Sequence, residues 1–550
     1  MHNATGARWM VYSRQMMRES SPAWGSQRSW WPVLVAWMGL VSCVSPREFA
    51  PAAPTVPQPR LPMNDAYQGS VITGELRPRF VWEASVAQKD PIVYELQYSA
   101  DPKLEQGVVT VQTRELSHQP AEPLSVSTVP PVGRRYYWRV RACLEESCSD
   151  YSRPWWINLG RVQRDLNGDG YADVVLTSYN SSPRNVKIYM GGRTFDNVSD
   201  GTLAPISSDI AFGQALSNDG DFNGDGFADL VVGANNRAYV YYGKAGTSFS
   251  KAHDLLLRVS AYENFGHSAS YAGDINADGS SDILIGAPSS EAQGFNSGRV
   301  YVYYGGQGEM LDSPAGWISG SKVGDELGFQ VPTGGDFNGD GFSDVVAPPM
   351  RFADEVHEPP CNARLYQGVP GVAFDASKFT VFNGETSAGR CSLGAVLTGD
   401  LDRDGFADLV LGENSYLGQS FVFRTMRVFR GGMGVHGSAD QRISDIGLTA
   451  DWELYNMLPM GDVNCDGASD LRAIIATLLC TVFLGQSPSA PLATPSSARF
   501  TSWLVPVGDM NGDGCHEMVG MGTQSMPWLL YLGAPGGAVD TVPDGTFPSL

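Results

Sequence analysis

The sequence predicts an all-β protein in which a small β-sandwich precedes a seven-bladed β-propeller. One acidic nine-residue pattern recurs seven times along the chain, at intervals of roughly 55 residues. A short apolar segment follows every copy, as expected of a buried strand. The chain is also rich in turn and strand formers, with 63 Gly, 23 Phe and 22 Tyr among its 550 residues. A repeat of this length is typical of stacked supersecondary units.

The N-terminal region, residues 1–43, carries the features of an export signal. Its apolar run, Trp30–Val41, is shorter than the roughly 20 residues that a membrane-spanning helix needs. Several arginines precede that run, as is usual in signal peptides. The run ends in Leu-Val-Ser followed by Cys43, which resembles the lipobox of bacterial lipoproteins. This resemblance implies lipid modification of Cys43 and anchoring in the bacterial cell envelope without a transmembrane segment. The alternative is an ordinary export signal that happens to contain a Cys.

Two segments lie between the signal and the repeats. Residues 44–62 are rich in Pro and Ala, and we interpret them as a stiff, extended tether. Residues 63–158 alternate apolar and polar positions in short runs, which predicts a β-sandwich. Within it, Tyr137–Cys143 and then Cys148–Ser152 resemble the last two strands of a fibronectin type III module. That resemblance implies a spacer.

The cysteines favour disulfides rather than a zinc site. No Cys-x-x-Cys pair is present, and disulfides are the default in an exported chain. Cys143 and Cys148 bracket a turn of four residues, so we predict a disulfide between them. The sequence leaves the pairing of the remaining cysteines open, namely Cys361, Cys391, Cys465, Cys480 and Cys515.

The repeated pattern, Asp-x-Asn/Asp-x-Asp-Gly-x-x-Asp/Glu, has the chemistry of a calcium loop. Calcium takes six to eight oxygen ligands in a flexible shell. Side chains at positions 1, 3 and 5 converge where Gly at position 6 permits a sharp turn, position 7 offers a carbonyl, and position 9 adds a carboxylate. The predicted ligands are Asp165, Asn167, Asp169, Asp173, Asp221, Asn223, Asp225, Asp229, Asp274, Asn276, Asp278, Asp282, Asp336, Asn338, Asp340, Asp344, Asp400, Asp402, Asp404, Asp408, Asp462, Asn464, Asp466, Asp470, Asp509, Asn511, Asp513 and Glu517.

Three alternatives to calcium-binding propeller loops fit the pattern less well. An EF-hand needs Glu at position 12 and a following helix, whereas here position 12 is apolar or Gly and a strand-like segment follows. Mg²⁺ demands stricter octahedral geometry than this loop suggests. A polar β-turn without metal would also favour Asp, Asn and Gly, but it does not require several converging carboxylates that repel one another. We therefore predict Ca²⁺.

The repeats of residues 160–550 resemble FG-GAP repeats, which build the seven-bladed propeller at the N-terminus of integrin α subunits. Phe212-Gly213 and Phe265-Gly266 match the Phe-Gly element, and Ile285–Pro288 provides a full Gly-Ala-Pro match. The first, sixth and seventh units lack a clear Phe-Gly. The resemblance implies calcium in the loops and a ligand on the opposite face of the propeller.

Charge and motifs indicate a binding protein rather than an enzyme. The formal net charge of −21 argues against a nucleic acid partner. The chain has no His-Glu-x-x-His, Gly-x-Ser-x-Gly or phosphate-binding loop motif. We predict a non-enzymatic, calcium-stabilised adhesion lipoprotein that binds a protein or glycan, with Arg351–Cys361 and Asn414–Phe423 as candidate contact segments. The alternatives are an exported hydrolase or lyase acting on polysaccharide or phospholipid, and a structural scaffold of an envelope complex.

Overall fold

The described part of the chain contains β-strands and no helix. The computed structural model describes residues 53–87, 91–177, 184–205, 209, 211–246, 252–259, 262–308, 312–331, 333–348, 362–371, 373–383, 390–417, 420–433, 438–444, 454–475, 480–485, 499–500, 504–520, 527–535, 539 and 541–548. The all-β class is confirmed for these residues, and none of them belongs to a helix that could cross a membrane. The predicted signal and Cys43 lie outside them.

Nine strands form the N-terminal module, which we define as residues 53–161. They are β1 (Pro59–Leu61), β2 (Ala66–Gln68), β3 (Phe80–Trp82), β4 (Val93–Ser99), β5 (Val109–Thr113), β6 (Ser117–His118), β7 (Arg134–Leu144), β8 (Ser147–Cys148) and β9 (Trp155–Leu159). One sheet has the order β1-β3-β6, and the other has the order β2-β9-β7-β4-β5 with β8 beside β7. Only β2 and β9 run parallel.

A single aromatic core joins the two sheets of the module. Residues along β7 alternate between buried and partly exposed, as expected when one face of a strand points into a core. Phe80 of the smaller sheet packs against Trp138 of β7 with ring centroids 5.2 Å apart. Trp138 in turn makes an edge contact with Trp155 of β9. The predicted strand pattern of this region therefore corresponds to two packed sheets.

The tether prediction for residues 44–62 differs from the structure at its C-terminal end. Strand β1 lies inside that segment and pairs with β3. Two backbone hydrogen bonds extend the attachment, from Thr55 N to Val86 O and from Glu83 N to Gln58 O. Proline lacks an N–H group, so a Pro-rich segment suits the edge of a sheet, where few ladder bonds are required. The composition concealed an edge strand.

Seven small antiparallel sheets follow the module. The first contains β10 (Val174–Thr177), β11 (Val186–Tyr189) and β12 (Gly201–Leu203); the second β13 (Ala215–Gly220), β14 (Asp229–Ala234), β15 (Arg237–Tyr241) and β16 (Leu255–Leu257); the third β17 (Ser268–Tyr271), β18 (Ile283–Ala287), β19 (Arg299–Tyr303) and β20 (Gly316–Ser319); the fourth β21 (Val345–Ala347), β22 (Asn362–Tyr366) and β23 (Phe379–Asn383).

The remaining three sheets have four strands each. The fifth contains β24 (Arg390–Leu397), β25 (Leu409–Leu417), β26 (Ser420–Phe429) and β27 (Gln441–Ser444); the sixth β28 (Leu454–Gly461), β29 (Asp470–Ile475), β30 (Cys480–Phe483) and β31 (Arg499–Phe500); the seventh β32 (Leu504–Gly508), β33 (Glu517–Gly520), β34 (Trp528–Tyr531) and β35 (Gly545–Phe547). In each of these seven sheets, consecutive strands are neighbours.

Each sheet shares one hydrophobic cluster with the sheet before it and another with the sheet after it. The second and third sheets meet through Val231 and Ile283, for example, while Leu230 on the other face of β14 packs towards the first sheet. Successive residues of a strand point to opposite faces, so a strand between two neighbours must be apolar throughout. This explains why the segments after the acidic loops are continuously apolar rather than alternating.

The seventh sheet packs against the first. Phe547 of β35 lies 4.9 Å from the ring of Tyr189 and 4.7 Å from the ring of Phe195, measured between centroids. Backbone hydrogen bonds from Ala172 N to Asp509 O and from Gly192 N to Met510 O link the acidic loop of the seventh unit to the first unit. The C-terminal strand β35 therefore supplies the outer strand of the seventh sheet, whereas β9 (Trp155–Leu159) belongs to the N-terminal module.

Replacing Phe547 by Ala is expected to lower the free energy of unfolding by about 3–5 kcal/mol, because a fully buried aromatic side chain between the first and last sheets is lost. Val542→Ala is the matched control, since Val542 is 65% exposed and its truncation should change stability by less than about 0.5 kcal/mol. Denaturant unfolding of the two variants measures the difference. Equal stabilities would show that the tail does not hold the two sheets together.

Candidate metal centres

All seven acidic loops adopt the same turn between the end of one strand and the start of the next. The carboxylate at position 1 accepts a hydrogen bond from the backbone N–H of position 6 in every copy, with a distance of 2.7 to 2.9 Å. The position 6 glycines all have φ between 86° and 99°, in a region that residues with a Cβ rarely enter. Gly recurs at this position because the backbone there adopts a positive φ.

The carboxylate at position 9 joins the loop to two strands. In the first copy, Asp173 accepts hydrogen bonds from Leu166 N at 2.7 Å and from Gly191 N at 2.9 Å. Gly191 is the glycine that ends the second strand of the hairpin, and a Cβ there would collide with the carbonyl oxygen of Ala172. The same pair of bonds recurs in the second to sixth copies. The glycine that ends each of these hairpins therefore donates to position 9, a role that the nine-residue pattern does not reveal.

Positions 3 and 5 bring further oxygen atoms to the same point. In the second copy, Asn223 Nδ2 donates to Asp225 Oδ2 at 2.9 Å. In the fifth copy, Asp400, Asp402 and Asp404 offer carboxylate oxygens that lie within 4.8 Å of one another, and in the seventh Asp509, Asp513 and Glu517 do the same. In these two loops, three of the predicted carboxylate ligands are thus gathered in one turn. The donor set consists of oxygens, which fits a hard divalent cation.

Burial makes the ionised form of these carboxylates costly. Desolvation by burial, reinforced by the nearby carboxylate of Asp165, raises the pKa of Asp173 well above its ordinary value. Burial likewise raises the pKa of Asp274 to about 8 and that of Asp470 to about 8. In the seventh loop, burial raises the pKa of Glu517 to about 9. Buried like charges of this kind are stabilised when a cation sits among them.

Arginines and a disulfide add contacts that the loop pattern does not contain. Arg430 forms an ion pair with Asp402 of the fifth loop, and Arg403 of that loop pairs with Asp466 of the sixth at 2.7 Å. Cys465 of the sixth loop is disulfide-bonded to Cys515 of the seventh, with a Cα–Cα distance of 4.8 Å. Their sulfur atoms are therefore not metal ligands, although Asp513 lies beside them.

The other cysteines are placed as follows. Cys143 and Cys148 are joined by a disulfide across the turn between β7 and β8, with a Cα–Cα distance of 4.0 Å. Cys480 is a buried free thiol. Cys361 and the side chain of Cys391 lie outside the described residues, so the structure is silent on their pairing.

Comparison with known proteins supports the repeat assignment. A family model described as FG-GAP-like repeat matches residues 221–285. Integrin alpha-3 from Cricetulus griseus is 37% identical over 123 residues, which cover 20% of this chain and 11% of the integrin. Integrin alpha-5 from Xenopus laevis is 30% identical over 253 residues, which cover 43% of this chain and 22% of the integrin. The matched part is thus less than a quarter of either relative's length.

Solved structures give only weak likenesses. BBS1N, in complex with ARL6DN, is 10% identical with a TM-score of 0.37, covering 66% of this chain and 88% of that one. A rhamnogalacturonan lyase from Bacillus licheniformis is 12% identical with a TM-score of 0.29, covering 87% of this chain and 91% of that one. Neither score carries an argument about fold or activity. The FG-GAP match, the integrin similarity and the small sheets together support an integrin-like FG-GAP β-propeller.

In calcium-free protein, stability is expected to fall as pH rises from 7 to 9. Groups such as Asp274, Asp470 and Glu517 bind more protons in the folded state than in the unfolded chain, because their pKa values are raised by burial. Buried His516 has the opposite sign, since burial lowers its pKa to about 4, but its effect lies mainly between that pKa and the ordinary value of about 6.5 and adds little above pH 7.

Saturating calcium is expected to reverse this trend, because an ion bound in the loops would favour the ionised carboxylates. Thermal melts at pH 7, 8 and 9, with and without calcium, measure the effect as a gap in melting temperature that widens with pH. Two results would contradict the claim that ionised, buried carboxylates destabilise the calcium-free loops. One is a difference in melting temperature that stays constant with pH, and the other is a calcium-free melting temperature that rises with pH.

Proposed function

We propose that this chain is an exported, calcium-stabilised binding protein whose seven sheets are the blades of a closed β-propeller. The observation that carries the proposal is the cyclic packing of the sheets, in which the seventh shares a hydrophobic cluster with the first. An acidic loop occupies the equivalent position in every unit, which favours one repeated structural role. The similarity to integrin α chains favours recognition of a protein or glycan over catalysis.

Calcium is the ion that we propose for the loops. The carboxylates, amides and carbonyl groups match its preference for oxygen, and seven sites would have a large combined effect. At a calcium concentration ten times the dissociation constant, each site adds about 1.4 kcal/mol, so seven add roughly 10 kcal/mol. This is comparable with the whole stability of a domain, about 5–15 kcal/mol. Calcium would therefore be structural.

The face opposite the acidic loops is our proposed ligand surface. The connections on that face carry large exposed side chains, namely Tyr262 at 78%, Phe295 at 67% and Val323 at 51%. Backbone hydrogen bonds join these connections to one another, from Gly324 N to Phe295 O and from Ser289 N to Glu263 O. Exposed aromatic groups held on ordered turns are typical of binding surfaces. The candidate segment Arg351–Cys361 and the side chains of Asn414–Phe423 lie outside the described residues.

We further propose attachment to the bacterial envelope through Cys43 and a fibronectin type III-like architecture for the N-terminal module. The first rests on the lipobox-like sequence, and the second on the two-sheet core around Trp138. A hydrolase or lyase activity on polysaccharide or phospholipid, and a pure scaffold role, are the alternatives that the experiments below separate from binding.

Chelation is expected to lower the melting temperature of the purified protein, because ionised carboxylates would lose their counter-ion. Calcium re-addition should restore the melt, whereas an equal concentration of sodium chloride should not, since a monovalent salt screens exposed charges without filling the buried turns. Scanning calorimetry in the two conditions measures the shift. An unchanged melt in excess chelator would overturn calcium stabilisation.

Capture of ligands from cell-surface extracts is expected to depend on the exposed aromatic surface. The double variant Tyr262→Ala and Phe295→Ala should reduce capture at least ~10-fold, as removal of central aromatic contacts usually does. Val86→Ala is the control, since Val86 is 73% exposed but lies on the N-terminal module. Capture that survives the double variant would exclude this surface, and release of product from glycans or lipids would favour the enzyme.

A further inference from the structure

The N-terminal module rests on the acidic loops, although its sequence implied only a spacer. The acidic-loop face, defined as the seven turns beginning at Asp165, Asp221, Asp274, Asp336, Asp400, Asp462 and Asp509, receives hydrogen bonds or ion pairs from residues 60–161 at the first five turns. Ile72 also approaches Gly512 of the seventh turn. Among the described contacts of the module, none reaches the sixth turn.

Polar side chains of the module bind backbone carbonyls of three successive turns. Arg60 Nη2 donates to Asp404 O at 2.8 Å, and the guanidinium of Arg60 lies 4.0 Å from the ring centroid of Phe406. Asn64 Nδ2 donates to Gly341 O at 2.7 Å. Arg135 donates to the carbonyl oxygen of Gly279. These acceptors stand at positions 5 and 6 of their loops, where the backbone turns most sharply.

Further contacts spread the attachment around the face. Val132 N donates to Gly168 O of the first turn at 2.9 Å. The guanidinium of Arg153 lies 3.7 Å from the ring centroid of Phe342, at position 7 of the fourth turn. The module thus contacts several blades at once and is not attached to the propeller through a single linker alone.

Asp65 is the hub of this interface. Its carboxylate accepts hydrogen bonds from Asn158 Nδ2 at 2.9 Å and Trp156 Nε1 at 3.2 Å, both within the module. The same carboxylate accepts a bond of 2.8 Å from the hydroxyl of Tyr271, which lies at the end of β17 in the third sheet. Asp65 has φ of 63°, a left-handed conformation that Asp tolerates better than most residues. The turn at Asp65 is therefore stabilised by partners from the module and from the third sheet.

We propose that the N-terminal module is a cap whose docking is coupled to calcium in the third, fourth and fifth acidic loops. This inference rests on the proposed calcium function of those loops. The carbonyls that the module binds belong to the turns whose side chains would ligate the ion. An ion bound in a turn would hold that turn's backbone carbonyls in the positions at which the module binds them. Conversely, a docked module would hold the same carbonyls and thereby preserve the geometry of the ion site. Coupling between two binding events is reciprocal, so each strengthens the other.

Calorimetric titration of calcium into the full-length protein is the first test. The double variant Arg60→Ala and Asn64→Ala removes two donors to the fourth and fifth loops, and it is expected to weaken calcium binding at two sites by at least ~5-fold. Arg139→Ala is the matched control, because Arg139 bonds Gln97 within the module and does not contact a loop in the described structure. Its calcium affinity should equal that of the parent.

Hydrogen exchange of the parent protein tests the same coupling without any substitution. Chelation below the melting temperature is expected to speed amide exchange at β2 and at Asp65, while the β7 core amides of Val140 and Ala142 stay protected. Two results would overturn the inference alone: calcium binds the parent but the double variant binds it equally, or exchange at β2 is the same with chelator. A parent that binds no calcium would overturn the proposed function as well.

Discussion

A buried carboxylate at the end of each acidic turn is the interaction on which the architecture depends. Asp229 of the second copy receives backbone N–H groups from Phe222 at the start of its loop and from Gly243 at the end of the hairpin. One side chain thereby fixes the loop, the strand that follows it and the turn beyond. The same carboxylate is deeply desolvated, so its negative charge favours a bound cation. Fold stability and the proposed ion binding therefore share one residue in each unit.

Packing between the sheets follows from that local geometry. Each loop sets the start of a strand whose two faces both lie against neighbouring sheets, and the apolar residues after the loop fill both interfaces. The resulting order is cyclic, because the first and seventh sheets also share a cluster. A ring of this kind needs no strand exchange, since aromatic packing around Phe547 joins its ends. The acidic turns gather on one face, where the N-terminal module contacts the first five and approaches the seventh.

The repeats were readable from the sequence because they are local. Nine consecutive residues specify the turn, and the strand after it follows without a gap, as with Asp229 and β14. Contacts between distant segments were not readable. The Cys465–Cys515 disulfide, the Arg430–Asp402 pair and the docking of Asn64 on Gly341 all depend on how units meet in space. The edge strand β1 was hidden by a Pro-rich composition that also suits an extended tether.

The number of calcium ions bound per chain tests the central claim most directly. Atomic emission measurement of protein equilibrated with calcium and then desalted gives this ratio without any assumption about stability or ligand. We expect seven ions per chain, one for each acidic turn, and a loss of one ion when Asp229 is replaced by Ala. A chain that retains no calcium would contradict the claim that cations hold the carboxylates of the ring together.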